Sequence, residues 1–268
     1  MSSAALALAL GAAILHAVWN LLLAGSRDVL AATAVALGSS VIVALPFAVA
    51  TWGIEREAIP WLVASGALEL VYFLTLTAAY QRAELSLVYP LARGGAPVLV
   101  LLGAVATGYT PGGIEVLGVL AVAAGVVLVR GLRGGDWIGV ALGLVIAAQI
   151  AAYTLVDSEG IQHANPVPYL LFALLPAAVA AAFLSGRKRL QAAWSARALL
   201  AGCGGFLAYV LVLAALRLAP AAPVAAVRET SVLFAVLLAA PFLGERVTGG
   251  RFAGAVLVVA GVVALGSA

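Results

Sequence analysis

Charged residues punctuate this chain at long intervals, and the stretches between them have the length of a bilayer crossing. Breaks fall at Arg27-Asp28, Glu55-Arg56-Glu57, Gln81-Arg82, Tyr109–Gly112, Arg130–Asp136, Glu159–Asn165, Arg187-Lys188-Arg189, Arg217 and Glu245-Arg246. They separate ten apolar stretches: Ser3–Leu23, Leu30–Trp52, Pro60–Tyr80, Leu85–Thr107, Gly113–Val129, Trp137–Val156, Val167–Leu184, Leu199–Leu218, Val224–Leu243 and Gly250–Leu265. A helix crossing the hydrocarbon core takes about 20 mostly apolar residues. Only 9% of the residues are charged and 65% are hydrophobic, against about 25% charged in soluble domains. A water-soluble fold is therefore excluded. Spans of this length satisfy their backbone polar groups internally as helices, so the expected fold is all-α and polytopic, with ten transmembrane helices. No loop is long enough to hold a soluble domain. The first stretch lacks a basic leader and carries His16, Trp19 and Asn20, which reads as a retained helix rather than a cleaved signal.

The chain also repeats at long range. Arg82 and Arg93 return 135 positions later as Arg217 and Arg228. Gly108, Gly113, Gly118 and Gly125 return 136 positions later as Gly244, Gly249, Gly254 and Gly261, and Trp19 precedes Tyr153 by 134. The spacing predicts two halves of five helices, 1–132 and 133–268. Five is odd, so the second half enters from the opposite side, as an inverted repeat about an axis in the membrane plane. Arg27, Arg82, Arg130, Arg133, Arg187, Lys188, Arg189, Arg197, Arg246 and Arg251 fall on one side and only Arg56 and Arg217 on the other. Basic loops face the cytoplasm, which places both termini on the extracytoplasmic side of the cell (inner) membrane.

Ionisable residues inside the spans are costly unless they meet a partner or a wet cavity. The stretch Glu84–Gly103 carries Arg93 between Pro90 and Pro97, and Pro220–Leu238 carries Arg228 in the corresponding place. Two proline-interrupted helices, each with an arginine, point to a binding site between the halves. A guanidinium fork suits carboxylate or phosphate, so Arg93 and Arg228 are the expected substrate-binding pair. Glu69, deep in the third stretch, and Glu229 are the candidates for proton coupling or a charge pair. Adjacent helical residues point about 100° apart, so Glu229 is expected to pair with another helix rather than with Arg228. His16 and Asn20, at i and i+4, share one face of the first helix. His16 is a further proton-coupling candidate; Asn20, Trp19, Tyr89 and Tyr153 complete the expected cavity lining. Asp157 reads as an interfacial carboxylate at a helix end. Cys203, the single cysteine, reads as a packing residue. No spacing suits a metal, no nucleotide-binding loop occurs, and no cofactor or catalytic residue is expected.

Four segments carry a family resemblance: HAVWN (His16–Asn20), AAYQRAELSLVYPLARGGAP (Ala78–Pro97), YTLVDSEG (Tyr153–Gly160) and APVAAVRETSVLFAVLLAAPFLGERVTGG (Ala222–Gly250). With them the chain resembles the drug/metabolite transporter superfamily, in its EamA-like branch of ten-helix proteins. The first half has Thr107-Gly108-Tyr109 where the family has Leu-Gly-Glu, so Glu245 reads as a helix-end feature. The resemblance implies movement of small metabolites by alternating access. Taken with the buried charges, the expected function is secondary transport, in the export direction, of a small polar metabolite such as an amino acid or organic anion, with protons as the candidate coupling ion. The alternatives are a multidrug exporter of cationic compounds and a membrane scaffold or receptor without transport. An intramembrane enzyme lacks a nucleophile with its base. Expected partners are the small-molecule substrate and the lipid bilayer, with no nucleic acid, in a monomer or homodimer.

Overall fold

Every long apolar stretch expects a helix, and a computed structural model of the protein describes residues 1–24, 26–82, 85–130, 137–235 and 249–268 as helices joined by short connections. These are α1 (Ser3–Leu23), α2 (Val29–Ala50), α3 (Ile59–Arg82), α4 (Leu85–Ala106), α5 (Gly113–Arg130), α6 (Trp137–Gly160), α7 (Pro166–Ala193), α8 (Ala196–Leu216), α9 (Ala221–Arg228) and α10 (Gly249–Ser267). Among the described residues the extended pairing is one isolated bridge, Ile54 with Ala164. Among the described residues eight helices are long and apolar enough to cross a membrane, and α5 is a shorter apolar one. The protein is a polytopic all-α membrane protein. Ser2, Asp28 and Ser195 cap α1, α2 and α8 by accepting from the backbone N–H three residues on, which satisfies donors a helix start leaves open.

Three boundaries differ from the expected ones. Helix α6 runs past Val156 to Gly160 and so takes Asp157 and Glu159 into the helix. Helix α7 continues through Arg187-Lys188-Arg189 after a kink at Gly186, whose φ of 70° only glycine adopts without strain. The ninth stretch is broken at its start. Pro220 and Pro223 occupy its first turn, where a missing N–H costs nothing, and α9 closes at Arg228. Thr230 N then donates to Val227 O and Val232 N to Glu229 O, three residues back instead of four. Helical backbone resumes at 231–235. Glu245 and Glu84 lie outside the described residues.

Packing follows a regular order. Helix α1 lies on α8 and α9, α2 on α7 and α8, α3 on α6 and α7, α4 on α6 and α9, and α5 on α10. The last pair meets backbone to backbone at two crossings. A Cβ at Gly125 would stand 2.7 Å from the Gly254 carbonyl oxygen, and one at Gly261 would stand 2.7 Å from that of Gly118. Since 118 meets 261 and 125 meets 254, the two helices run antiparallel, and glycine at these crossings brings backbone onto backbone. The largest core cluster gathers Ala9, Val100, Val122, Tyr169, Leu213 and the alanines and valines of α9.

Candidate functional site

The break after α9 presents Arg228 and Glu229 to α4. Arg93 Nη1 donates to Glu229 Oε2 at 3.2 Å and to Oε1 at 3.4 Å. Arg228 donates to Oε1 through Nε at 3.3 Å and Nη2 at 3.2 Å. One carboxylate with no exposed side-chain surface thus holds two guanidiniums, of which Arg93 keeps 10% exposure and Arg228 4%. Glu229 pairs across helices, as expected, and also with its neighbour. The second contact is made by the long Arg228 side chain, which folds back onto the neighbouring carboxylate through Nε and Nη2. Burying these charges is tolerable because each meets an opposite charge with directed hydrogen bonds.

Helix α1 closes the other side of Arg93. Arg93 Nη2 abuts His16 Nε2, and Trp19 Nε1 donates to His16 Nδ1 at 3.2 Å with the rings edge to face. These two contacts ask for opposite tautomers. Trp19 and Arg93 are both donors, and a neutral imidazole offers one bare nitrogen. Asn20 turns its amide onto the His16 carbonyl, 2.7 Å away on its own helix. The Arg93 guanidinium carbon stands 5.4 Å from the centre of the Tyr89 ring, within cation–π range.

Tyrosines lead away from the arginines. Tyr153 is buried between Tyr72 and Tyr209, with ring centres 5.8 and 6.0 Å away. Tyr209 donates to Asp157 Oδ2, and Tyr169 to Asp157 Oδ1 at 3.0 Å. Glu69, buried on α3, is within electrostatic range of Arg228 and Asp157. The expected residues Arg93, Arg228, Glu229, His16, Trp19 and Tyr89 therefore adjoin one another. Tyr153 and Glu69 lie beside them, and Asn20 is spent on its own helix. Asp157 is a correction. It is not interfacial but 1% exposed, because α6 extends beyond it and α7 and α8 close over it. Its partner Tyr209, an ordinary tyrosine in an apolar run, carries no sequence signal.

Polar groups also mark both ends of the bundle. Beside the termini, Tyr109 donates to Glu115 at 2.7 Å; burial and this bond push its phenol up to about 12. On the same end a cavity of about 170 Å³ is lined by Gly53, Glu55, Gln162, His163, Ala164, Asn165 and Arg217. At the other end Arg189 makes a forked pair with Asp28, 2.6 and 2.8 Å. Among the described residues no three His, Cys, Asp or Glu side chains are grouped as metal ligands.

Residues 137–267 match the EamA-like transporter family. A crystal structure of another protein superposes with a TM-score of 0.77 at 18% identity, covering 98% of this chain and 96% of that one, a likeness of fold. No curated protein matches the chain.

Proposed function

We propose that this chain, a membrane transporter whose residues 137–267 belong to the EamA-like transporter family, moves a small carboxylate-bearing metabolite past the Arg93–Glu229–Arg228 group. The observation that carries this reading is the meeting of two arginines, one from α4 and one from the broken α9, on a single glutamate. Glu229 occupies the place a substrate carboxylate would take in the same fork, so a substrate binds by sharing or displacing it. Anion recognition by paired guanidiniums is directional, and Tyr89, Trp19 and Tyr153 supply flat faces for the rest of the molecule. Two guanidiniums repel a cation, which disfavours the multidrug alternative.

The halves 1–132 and 133–268 act as two inverted repeats that rock about this group in alternating access. Two things support the pairing: the interrupted helices α4 and α9 touch, and their arginines are 135 positions apart. The basic loops on one face orient the bundle in the cell membrane, and export from the cytoplasm is the proposed direction. The test is counterflow in proteoliposomes with labelled L-glutamate, L-phenylalanine and succinate, with tetraphenylphosphonium as the cation. Carboxylates exchange and the cation does not. Arg93→Gln lowers exchange by about tenfold or more, the worth of one charge-assisted hydrogen bond. Exchange of the cation alone, or carboxylate exchange unchanged in folded Arg93→Gln and Arg228→Gln, refutes the reading.

A further inference from the structure

Two buried carboxylates inside this protein have opposite kinds of partner. Glu229 is held by guanidiniums, which only donate hydrogen bonds and carry fixed charge; its partners accept the anion alone. Asp157 is held by the Tyr169 and Tyr209 hydroxyls, from α7 and α8. A phenol donates or accepts by turning its O–H. The ionised carboxylate takes two O–H bonds, while the neutral acid gives its own proton to one of the same oxygens. Both forms are satisfied in one cage without movement of the backbone. Among the described residues no cation is within ion-pair distance of Asp157. The charged and titratable groups that face it are Glu69 from α3, Tyr169 from α7, Tyr209 from α8 and Arg228 from α9.

Position adds to chemistry. Asp157 is three residues before the end of α6, and the polar cavity lined by Gln162, His163 and Arg217 begins about one turn beyond it. On its inner side Tyr209 meets Tyr153, which adjoins the arginine group. We propose that Asp157 is the proton carrier of this protein and that Tyr209 is its positioning residue. A proton from water in the cavity binds a carboxylate oxygen of Asp157, and the Tyr209 hydroxyl turns from donor to acceptor. After the halves reorient, the proton leaves to water on the other face. One proton crosses per cycle and no covalent bond of the substrate changes. Only the coupling to substrate rests on the carboxylate-transport reading; the titration of Asp157 does not.

The test is infrared difference spectroscopy of the purified full chain across neutral pH. A carbonyl stretch of a protonated acid rises and falls with pH, shifts when the aspartates carry ¹³C, disappears in Asp157→Asn and persists in Glu69→Gln. Tyr209→Phe keeps the band but moves its frequency and midpoint. The isotope arm needs no substitution and so stands even where a variant fails to fold. In proteoliposomes a one-unit pH gradient drives L-glutamate accumulation up to about tenfold in the unsubstituted protein at one proton per substrate. Asp157→Asn loses that accumulation and retains exchange at equal pH. A titrating band that ignores the aspartate label, no titrating band at all, or gradient-driven accumulation intact in Asp157→Asn overturns the proposal. If L-glutamate is not moved, the infrared arm still decides it.

Discussion

His16 shows how finely this site is balanced at the level of one side chain. Its Nδ1 accepts from Trp19 while its Nε2 faces Arg93, and a neutral ring answers one donor at a time. Trp19→Phe removes one claim, so the ring settles as the Nδ1–H tautomer with Nε2 accepting from Arg93. With only His16 and His163 in the chain, ¹⁵N resonances of labelled histidine report this directly; an unchanged His16 tautomer contradicts it. Glu229 presents the opposite case, a group with no freedom. Removing its charge leaves two guanidiniums uncompensated in a buried site, a loss of about 3–5 kcal/mol for broken buried pairs. Glu229→Gln therefore lowers the unfolding temperature in detergent far more than Asp157→Asn, whose phenol partners accept a neutral group. Equal losses would count against that distinction.

At the level of elements, the apolar stretches were legible because a hydrocarbon solvent leaves a helix little alternative. Their ends were not. The run Arg187-Lys188-Arg189 reads as a loop by charge, yet it is helical because Gly186 turns the chain and Arg189 finds Asp28, the cap of α2. Asp157 was misread for the same reason: a carboxylate near an expected helix end looks interfacial until α7 and α8 are known to cover it. The Asp28–Arg189 pair is exposed, so solvent screening leaves it a small contribution. Arg189 holds the Asp28 carboxyl below its usual 3.8. A carboxylate so depressed stabilises the fold above that value and ceases to as pH falls further. Arg189→Gln accordingly lowers stability slightly at neutral pH, and the difference vanishes under more acidic conditions. The α5–α10 seam is less forgiving. A side chain at Gly125 meets the backbone of Gly254 and Val258 at 2.7–2.8 Å, so Gly125→Ala forces the helices apart and costs about 1–3 kcal/mol, read as a drop in unfolding temperature.

At the level of the whole molecule, the packing order has a property no single helix has. Replace each helix by the one five places along, and α1 on α8 becomes α6 on α3, while α1 on α9 becomes α6 on α4 and α2 on α8 becomes α7 on α3. The pairs α2–α7, α4–α9 and α5–α10 turn into themselves. A sequence of alanine, valine and leucine hides this, since apolar residues exchange freely; only arginines and glycines, where exchange is costly, keep the 135–136 spacing visible. Such an exchange is what an inverted repeat requires, and it makes a demand on topology. Arg82 ends α3 and Arg217 follows α8, 135 positions later, so in an inverted repeat these equivalent residues face opposite sides of the bilayer. In a background with Cys203→Ser, Arg217→Cys reacts with a membrane-impermeant maleimide added to intact cells. Arg82→Cys reacts only after the cells are opened if, as proposed, the side rich in basic loops faces the cytoplasm. Labelling of both from one side removes the inversion and with it the rocking of two mirrored halves; labelling with the sides exchanged keeps the inversion and reverses the orientation.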